Sequence, residues 1–253
     1  MDQIPSSTRR TQTLGLFGFG AFGKLVAREL AAHFEITVCD PAYVGAVLDD
    51  GRALPMRELD ETARCDVVVL AVPVARLAQL CERIAPHLRS GALVLDVGSV
   101  KISPMQIMAD HLPETVHILG THPLFGPQSA QTGIRNCKIA LCPLRGSRTG
   151  VVTKFLRLLG LEVILTTPEA HDRDAAMVQG LTHLIAKVLN DFGPLPDQMT
   201  TVSFDLLREA IGMVKDDPPT VLHAIETANP FSADVRDAFF KKADVLRSQF
   251  EVR

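Results

Sequence analysis

The stretch Thr13-Leu-Gly-Leu-Phe-Gly18-Phe-Gly20-Ala-Phe-Gly23 lies near the start of the chain and determines the fold that the sequence predicts. Its apolar residues 14–17 predict a buried strand, and the apolar spacing after Gly23 predicts a helix. A G-x-G-x-x-G string between a strand and a helix is typical of a turn that binds a dinucleotide. Gly18 would permit the tight turn, Gly20 the approach of a pyrophosphate, and Gly23 the packing of helix against strand.

Asp40 bears on the choice of dinucleotide. It follows a second predicted strand, 35–39, and lies about 20 residues after Gly18, where such folds carry the acid that binds ribose hydroxyls. A carboxylate there repels a 2′-phosphate, and residues 41–45 contain no Arg or Lys to offset it. We therefore expect NAD rather than NADP, bound by Gly18, Phe19, Gly20, Ala21, Phe22, Gly23, Asp40, Val72 and Pro73. The alternative is a glycine-rich turn in some other α/β protein.

The composition limits the class of protein. Hydrophobic residues make up 47% of the 253 residues, which is enough for a substantial core. The net charge is −3 without a basic block, which argues against nucleic acid as a partner, and no apolar run is long enough to cross a membrane. The five cysteines include no C-x-x-C pair, so we expect free thiols in a reducing compartment and a cytoplasmic protein. No set of side chains has metal-ligand spacing, and no metal is expected.

The alternation of strands and helices predicts a doubly wound parallel sheet, a Rossmann-like α/β domain over residues 11–166. Residues 1–10 are polar, lack the apolar segment of a secretory signal and are interpreted as a flexible tail. Beyond the first two strands, the pattern predicts strands at 66–72, 92–96 and 116–120, and edge strands at 138–142 and 162–165. Residues 41–64 predict a short helix or ribbon over the sheet edge.

From Thr167 onward the pattern predicts helices alone, in a helical domain over 167–253. The predicted helices are 167–191, 200–215, 218–228 and 232–250. So few helices cover little core by themselves, and we therefore expect a homodimer. Because the last helix ends next to Arg253, a regulatory domain would have to be a separate protein.

Polar side chains follow two of the predicted strands. Val97-Gly-Ser99-Val-Lys101 follows the strand 92–96, and Gly120-Thr-His122-Pro-Leu-Phe-Gly-Pro127 follows the strand 116–120. Ligands of open α/β sheets bind outside the carboxyl ends of the strands. Both stretches are therefore expected to face the nicotinamide end of the cleft.

These stretches resemble the prephenate/arogenate dehydrogenase family, and its plant-like branch in particular. The resemblance rests on the glycine turn, Asp96-Val-Gly-Ser-Val-Lys101, Thr121-His-Pro-Leu-Phe-Gly-Pro127, and Glu169-Ala-His-Asp172 with Gln179-Gly-Leu-Thr-His183. It implies an NAD-dependent oxidative decarboxylation in tyrosine biosynthesis. A cyclohexadiene would lose hydride from C4, the proton of its hydroxyl group and CO₂ as its ring becomes aromatic.

The resemblance implies catalytic roles for His122 and Ser99. His122 would take up the hydroxyl proton as a neutral imidazole, and Ser99 would orient the hydroxyl or the imidazole by hydrogen bonding. For His122 the alternative is a loop histidine bonded to a backbone carbonyl, and for Ser99 it is a simple turn or a helix cap. Lys101 would interact with a substrate carboxylate or the cofactor, or would be a solvated surface lysine.

In the helical part, Gln179 and His183 are four residues apart and share a helix face. The family places polar residues of this helix over the substrate, so both are predicted to bind substrate. His183 would bind one of the substrate's carboxylates. A satisfied histidine between the domains is the alternative. His171 and Asp172 also match the family, but capping and packing at the domain junction explain them, and no catalytic role is predicted.

One departure from the family concerns the side chain of the substrate. Many bacterial relatives carry a Phe-Arg-Asp string whose arginine binds the side-chain carboxylate, whereas residues 202–208 here lack that arginine. Arg135, Arg208 or Arg236 of the partner subunit could substitute for it. The loop 126–133 also lacks an acid that would bind the ammonium of arogenate, which favours prephenate.

Two other interpretations stay open at this point. A hydroxyacid or imine-reducing dehydrogenase of the same two-domain plan would use a lysine of the helical domain, where Lys187 is available, but it would not explain residues 121–127. A non-catalytic NAD-binding regulator could also keep the same fold.

Overall fold

The structure, a computed structural model, describes residues 11–146, 148–215 and 217–251. The predicted tail, 1–10, lies outside them. The strands found in the described residues are β1 (Thr13–Phe17), β2 (Glu35–Cys39), β3 (Ala46–Val47), β4 (Ala53–Leu54), β5 (Val67–Leu70), β6 (Leu93–Asp96), β7 (His117–Pro123), β8 (Lys138–Arg145) and β9 (Glu162–Leu165).

Seven of these strands form one sheet in the order β2-β1-β5-β6-β7-β8-β9. Pairing is parallel everywhere except between β7 and β8, which confirms the prediction of a Rossmann-like sheet. The run of three valines and a leucine in β5 suits its central place, because both faces of such a sheet are covered. Strands β3 and β4 form a separate antiparallel ribbon within 41–64.

Strand β8 departs from the predicted arrangement. It pairs antiparallel with β7 and lies between β7 and β9, so the prediction of an edge strand at 138–142 is wrong. A parallel return needs a crossover, usually a helix, and no helix forms in the connection 124–137. The pairing also extends β7 to Pro123. His122 therefore lies within a strand, opposite Ala140, and not in the predicted loop.

Helices cover the sheet and form the C-terminal part. In the described residues they are α1 (Ala21–Leu30), α2 (Leu59–Ala63), α3 (Val74–Ile84), α4 (Ile102–His111), α5 (Thr149–Leu158), α6 (Pro168–Ala175), α7 (Leu181–Asp191), α8 (Val202–Gly212), α9 (Pro219–His223) and α10 (Ser232–Glu251). A π-helical turn, Ala176–Gly180, joins α6 to α7, and a second, Ala224–Ala228, follows α9.

The core lies on both faces of the sheet. Helices α3 and α4 cover one face with buried side chains such as Leu77 and Met108, and α1 and α5 cover the other. Each fully buried side chain of this size contributes about 1.5–3 kcal/mol. The cysteines are free, as predicted, and burial raises the pKa of the Cys81 and Cys142 thiols to about 12. These two thiols are therefore packing groups.

The change to helices at Thr167 has a local cause. The Thr167 hydroxyl oxygen accepts a hydrogen bond from the N–H of Ala170, and Pro168 takes the first helical position, where its missing N–H costs nothing. Helix α6 therefore begins where the sequence predicts. Its first turn carries His171 and Asp172, which both point into the junction with the sheet and are buried.

Candidate active site

The glycine turn between β1 and α1 has the shape that a bound pyrophosphate requires. Gly18 has a φ of +98°, which L side chains rarely adopt, and a Cβ atom on Gly23 would collide with the Gly18 carbonyl oxygen. A Cβ atom on Gly20 would meet nothing within 4 Å, so open space lies before the first turn of α1. The free N–H groups of that turn could bind phosphate oxygens, and the residues present fit a dinucleotide.

Asp40 lies directly beside this turn. Its Oδ2 accepts a hydrogen bond from the N–H of Phe19 at 2.7 Å, and its Oδ1 accepts one from the N–H of Ala42 at 2.9 Å. Each oxygen retains a lone pair for a ribose hydroxyl. The ammonium of Lys24 lies 5.6 Å from the ring centroid of Phe19 and 5.3 Å from that of Tyr43. It places a cation beside the glycine turn that residues 41–45 do not predict.

The other predicted cofactor residues surround the turn in different ways. The side chain of Phe19 is fully buried, so its backbone is the part next to the ligand space, whereas Ala21 and Pro73 are exposed. Val72 packs against Gly18, with Cγ1 3.4 Å from the place of a Cβ atom there. The ring of Phe22 lies 6.5 Å from that of Phe125, and this contact joins the glycine turn to the loop after β7.

His122 is the first of three buried side chains, His122, His171 and Asp172, that contact one another in a row. Its Nδ1 lies 2.7 Å from Nε2 of His171, and Nδ1 of His171 lies 2.8 Å from Oδ1 of Asp172. Burial lowers the pKa of His122 well below its ordinary value of 6.5, and the neighbouring His171 and Lys101 lower it further. The imidazole of His122 is therefore neutral at pH 7 and can accept a proton.

Asp172 is fully buried and connects this row of side chains to the start of α4. Its Oδ1 accepts a hydrogen bond from the N–H of Lys101 at 2.7 Å, and its Oδ2 accepts one from the N–H of Ile102 at 2.9 Å. The carboxylate thus caps α4, whose positive end stabilises the negative charge. The side chain of Asn229 donates to the carbonyl oxygen of Asp172 at 2.7 Å. The capping and junction packing expected of Asp172 are present, and they hold His171 against His122.

Lys101 is fully buried, which excludes the alternative of a solvated surface lysine. Its Nζ pairs with Oδ2 of Asp96, and Asp96 also accepts hydrogen bonds from the N–H groups of Gly98 at 3.0 Å and Thr121 at 3.3 Å. The pair therefore ties the end of β6 to the end of β7 and the start of α4. A contact between Lys101 and substrate stays a prediction, and the ammonium already has a carboxylate partner.

Gln179 reaches His122 from the π-helical turn 176–180. Such turns are rare and are frequent at functional sites. The Nε2 of Gln179 lies 3.3 Å from Nε2 of His122. The Oε1 of Gln179 is buried and has no hydrogen-bond partner among the described residues. The side chain predicted to bind substrate thus contacts the predicted base and retains a buried acceptor.

His183 lies one helical turn after Gln179 and is 8% exposed. Its Nε2 lies 3.7 Å from Oδ2 of Asp217. Burial lowers the pKa of His183, and the carboxylates of Asp217 and Glu226 oppose that shift without cancelling it. Residue 126 of the loop after β7 lies beside the same carboxylate, since a Cβ atom there would be 4.0 Å from Oδ1 of Asp217. Two acids therefore stand near the histidine that was predicted to bind a carboxylate.

The remaining predicted residues take separate positions. Ser99 is half-buried in the loop after β6, and the hydrogen bonds of the His122 ring in the described chain go to His171 and Gln179. A role of Ser99 toward a substrate hydroxyl stays a prediction. Within one chain Arg236 pairs with Glu226 at 2.7 Å, and the substitution of a partner subunit's arginine for the missing one stays a prediction.

His171 is the residue that the sequence interpretation missed. Its signal in the sequence is a histidine followed by an acid in the first turn of the first helix after the sheet. That signal also fits a helix cap, and only the folded chain shows the ring 2.7 Å from His122.

In the part of the chain that the structure describes, no helix combines the length and apolar composition needed to cross a membrane.

Several known proteins similar to this chain are named prephenate or arogenate dehydrogenases. Residues 49–165 match the model of the family described as prephenate dehydrogenase, nucleotide-binding domain. A probable arogenate/prephenate dehydrogenase of Methanocaldococcus jannaschii is 29% identical over 194 residues, 73% of this chain and 43% of that protein. Arogenate dehydrogenase 2, chloroplastic, of Arabidopsis thaliana is 27% identical over 241 residues, 90% of this chain and 67% of that protein. The chain thus spans less than half the length of the first relative.

Solved structures agree with the fold. The crystal structure of prephenate dehydrogenase from A. aeolicus in complex with hydroxyphenyl propionate and NAD+ is similar with a TM-score of 0.70. It shares 21% identity and covers 95% of this chain and 92% of that chain. At this identity the likeness concerns the fold, a Rossmann-like sheet followed by helices. The match to the Arabidopsis protein is too distant to assign the plant-like branch.

Proposed function

We propose that the chain is a member of the prephenate/arogenate dehydrogenase family and that it oxidises and decarboxylates prephenate to 4-hydroxyphenylpyruvate in tyrosine biosynthesis. Arogenate, which would yield tyrosine, is the second substrate. The observation that carries the proposal is the buried, neutral His122 at the carboxyl end of β7. The Phe22–Phe125 contact links that strand end to the glycine turn, as a shared cofactor and substrate cleft requires.

His122 acts as the acceptor of the hydroxyl proton. A substrate hydroxyl that takes the place of the Gln179 amide would donate to Nε2 of His122. As the O–H bond breaks, its electron pair forms the carbonyl at C4 of the ring. NAD, when bound, accepts the hydride that leaves C4. Cleavage of the C1–carboxylate bond then releases CO₂, its electron pair enters the ring, and the oxygen at C4 recovers a proton, which His122 can return.

The cofactor is proposed to be NAD. The family model describes a nucleotide-binding domain, and the glycine turn has the open space and free N–H groups that a pyrophosphate needs. Asp40 accepts two backbone hydrogen bonds and would repel a 2′-phosphate. The ammonium of Lys24, 5.6 and 5.3 Å from the ring centroids of Phe19 and Tyr43, is a positive charge at the same turn and would oppose that repulsion.

Besides His122, the residues proposed to contact the substrate are Ser99, Lys101, Gln179 and His183. Gln179 has direct support, because it already contacts His122 and keeps an unpartnered Oε1 within the described chain. His183 would donate a hydrogen bond as a neutral imidazole. Its acid neighbours weaken its attraction for a carboxylate. The guanidinium of Arg236, which pairs with Glu226 at 2.7 Å, is a second positive group for such a contact.

A specific observation favours arogenate as a second candidate substrate. Asp217 and Glu226 approach His183, and Gln128 has a buried Oε1 without a partner among the described residues. That oxygen and Oδ1 of Asp217 lie 3.4 and 4.0 Å from the Cβ position of residue 126. These acceptors suit the ammonium of arogenate better than the keto group of prephenate, and they come from parts of the chain that the loop 126–133 does not reveal.

We also propose a homodimer formed by the helical domain, 167–253. Large apolar side chains are exposed on this domain, among them Phe192, Met199, Val202 and Phe250, with exposed fractions of 78%, 95%, 79% and 78%. Covering such a surface by a second copy would remove it from water. The free cysteines fit a reducing compartment such as the cytoplasm.

One assay tests the proposed function. The full chain is incubated with NAD and, in separate reactions, with prephenate, arogenate and a panel of 2- and 3-hydroxyacids, and the reduced cofactor and CO₂ are measured together. Prephenate or arogenate should give equimolar amounts of both products. Reduction with a hydroxyacid and without CO₂ would point to the other dehydrogenases of this plan, and no reduction with any compound would point to a non-catalytic protein.

A further inference from the structure

We infer that Asp172 and His171 are positioning residues that hold His122 in the tautomer with its proton on Nδ1, so that Nε2 is free to accept a proton. The inference rests on the proposed function, in which His122 takes the proton of the substrate hydroxyl. It is carried by two contacts in a buried row, 2.7 Å between His122 and His171 and 2.8 Å between His171 and Asp172.

Asp172 determines which atoms donate and which accept in the row His122–His171–Asp172. Both carboxylate oxygens accept hydrogen bonds from N–H groups at the start of α4, at 2.7 and 2.9 Å. An ionised carboxylate is an acceptor only. Because Oδ1 also lies 2.8 Å from Nδ1 of His171, that nitrogen must carry a proton, since two lone pairs at this distance would repel each other.

The proton on Nδ1 of His171 determines the tautomer of the His122 imidazole. In a neutral His171, Nε2 is then an acceptor, so Nδ1 of His122, 2.7 Å away, must be the donor. His122 is buried and neutral, and its Nε2 consequently carries the lone pair. The contact at the other end of the row agrees, because the amide nitrogen of Gln179 lies 3.3 Å from Nε2 of His122 and can donate to it.

The opposite placement of the protons, with His171 protonated on both nitrogens, is less consistent with the contacts. A protonated His171 would donate from Nε2, which forces the proton of His122 onto Nε2. That N–H would then face the amide nitrogen of Gln179, and two donors would meet at 3.3 Å unless the amide also turned over. His122 would have no lone pair on the side of Gln179 and could not accept the hydroxyl proton there.

The row also provides a place for the charge that proton uptake creates. When Nε2 of His122 gains a proton, the proton on its Nδ1 can move to Nε2 of His171. His122 is then neutral again, and His171 is an imidazolium whose Nδ1–H remains on Asp172. Lys101 disfavours positive charge on His122, whereas Nδ1 of His171 lies 2.8 Å from a carboxylate oxygen of Asp172. No atom is gained or lost in this transfer.

The tautomer can be measured directly. The full chain is labelled with ¹⁵N-histidine, and two-bond ¹⁵N–¹H correlation spectra are recorded near neutral pH, without substrate and with NAD. The signals missing from His122→Asn identify the ring of His122. We expect Nδ1 protonated and Nε2 unprotonated, and a wild-type ring with its proton on Nε2 would overturn the inference. The spectrum does not depend on the substrate, so a failure of the proposed function in the activity assay is distinguishable from a failure here.

Substitutions test whether His171 imposes that state. His171→Leu removes the acceptor and should shift His122 toward the Nε2-protonated form, with a fall in kcat of roughly 10²–10⁴ and little change in NAD affinity. His171→Gln keeps an oxygen that can accept from Nδ1–H, so it should preserve the tautomer and lose less activity. His111→Gln, at the far end of α4, is the control and should change neither.

An unchanged tautomer and an unchanged rate in His171→Leu would overturn the inference. A loss of rate with an unchanged tautomer would overturn it too, because it would show a structural role alone. If His171→Leu does not fold, the wild-type spectrum together with His171→Gln still decides the matter.

Discussion

The substitution His122→Asn removes the proposed proton acceptor with little other change. The amide group of asparagine reaches about as far as Nδ1 of histidine, so it can keep a hydrogen bond to Nε2 of His171 while Nε2 of residue 122 is lost. General acid–base catalysis is worth roughly 10²–10⁴ in rate, which corresponds to about 3–5 kcal/mol in the barrier. We expect kcat to fall by that factor.

The assay is the initial rate of NAD reduction at saturating prephenate or arogenate, with NAD affinity measured separately by binding. Affinity for NAD should be nearly unchanged, because the glycine turn lies on β1 and α1 and not on β7. His117→Asn, on the same strand but at its other end, is the matched control and should keep the wild-type rate. A His122→Asn enzyme with the wild-type rate would remove His122 from the mechanism.

Four further predictions concern the cofactor turn, the buried ion pair, the proton acceptor and the dimer. Asp40→Ser combined with Ala42→Arg should shift the ratio of Kd values from NAD toward NADP, and a wild-type protein that already prefers NADP would contradict the role of Asp40. Lys101→Met should lower the free energy of unfolding in urea by roughly 3–5 kcal/mol, because it strands a buried carboxylate, and a loss below about 1 kcal/mol would contradict that. Since the pKa of His122 is lowered and its neutral form is active, kcat/KM should persist as pH falls through 6.5 and decline only in more acidic solution; an acid limb above 6.5 would be inconsistent. Val202→Glu should reduce the dimer fraction in sedimentation, whereas a wild-type protein that sediments as a monomer would refute the homodimer.

The sequence predicts the first part of the fold well because its signals are local. The glycine turn, the β-branched run of β5 and the cap at Thr167 each depend on a few neighbouring residues, and each forms as expected. The antiparallel β8 is not predicted, since the strand pattern alone does not give direction. Direction here follows from the absence of a helix in 124–137, and the loop residues give no clear sign of that absence.

The candidate site is only partly predictable for a related reason. The motif around His122 can be recognised in one stretch, but its partner His171 lies 49 positions away and meets it through the rotation of a helix that no local pattern determines. The π-helical turn 176–180 changes that rotation once more and brings Gln179 to the ring. The acids at 217 and 226 are equally remote in sequence, so the loop 126–133 alone does not reveal them.

If His122 accepts the proton, its imidazole must face the reacting oxygen across a cleft shared with the cofactor. The most direct test of this is a crystal structure of the full chain with NAD and 4-hydroxyphenylpyruvate. We expect a distance of about 2.6–3.2 Å between Nε2 of His122 and the phenolic oxygen, with the nicotinamide ring against the aromatic ring and the Gln179 amide displaced from Nε2. A product bound away from His122, or an imidazole that keeps its contact with Gln179 while the product is bound, would contradict it.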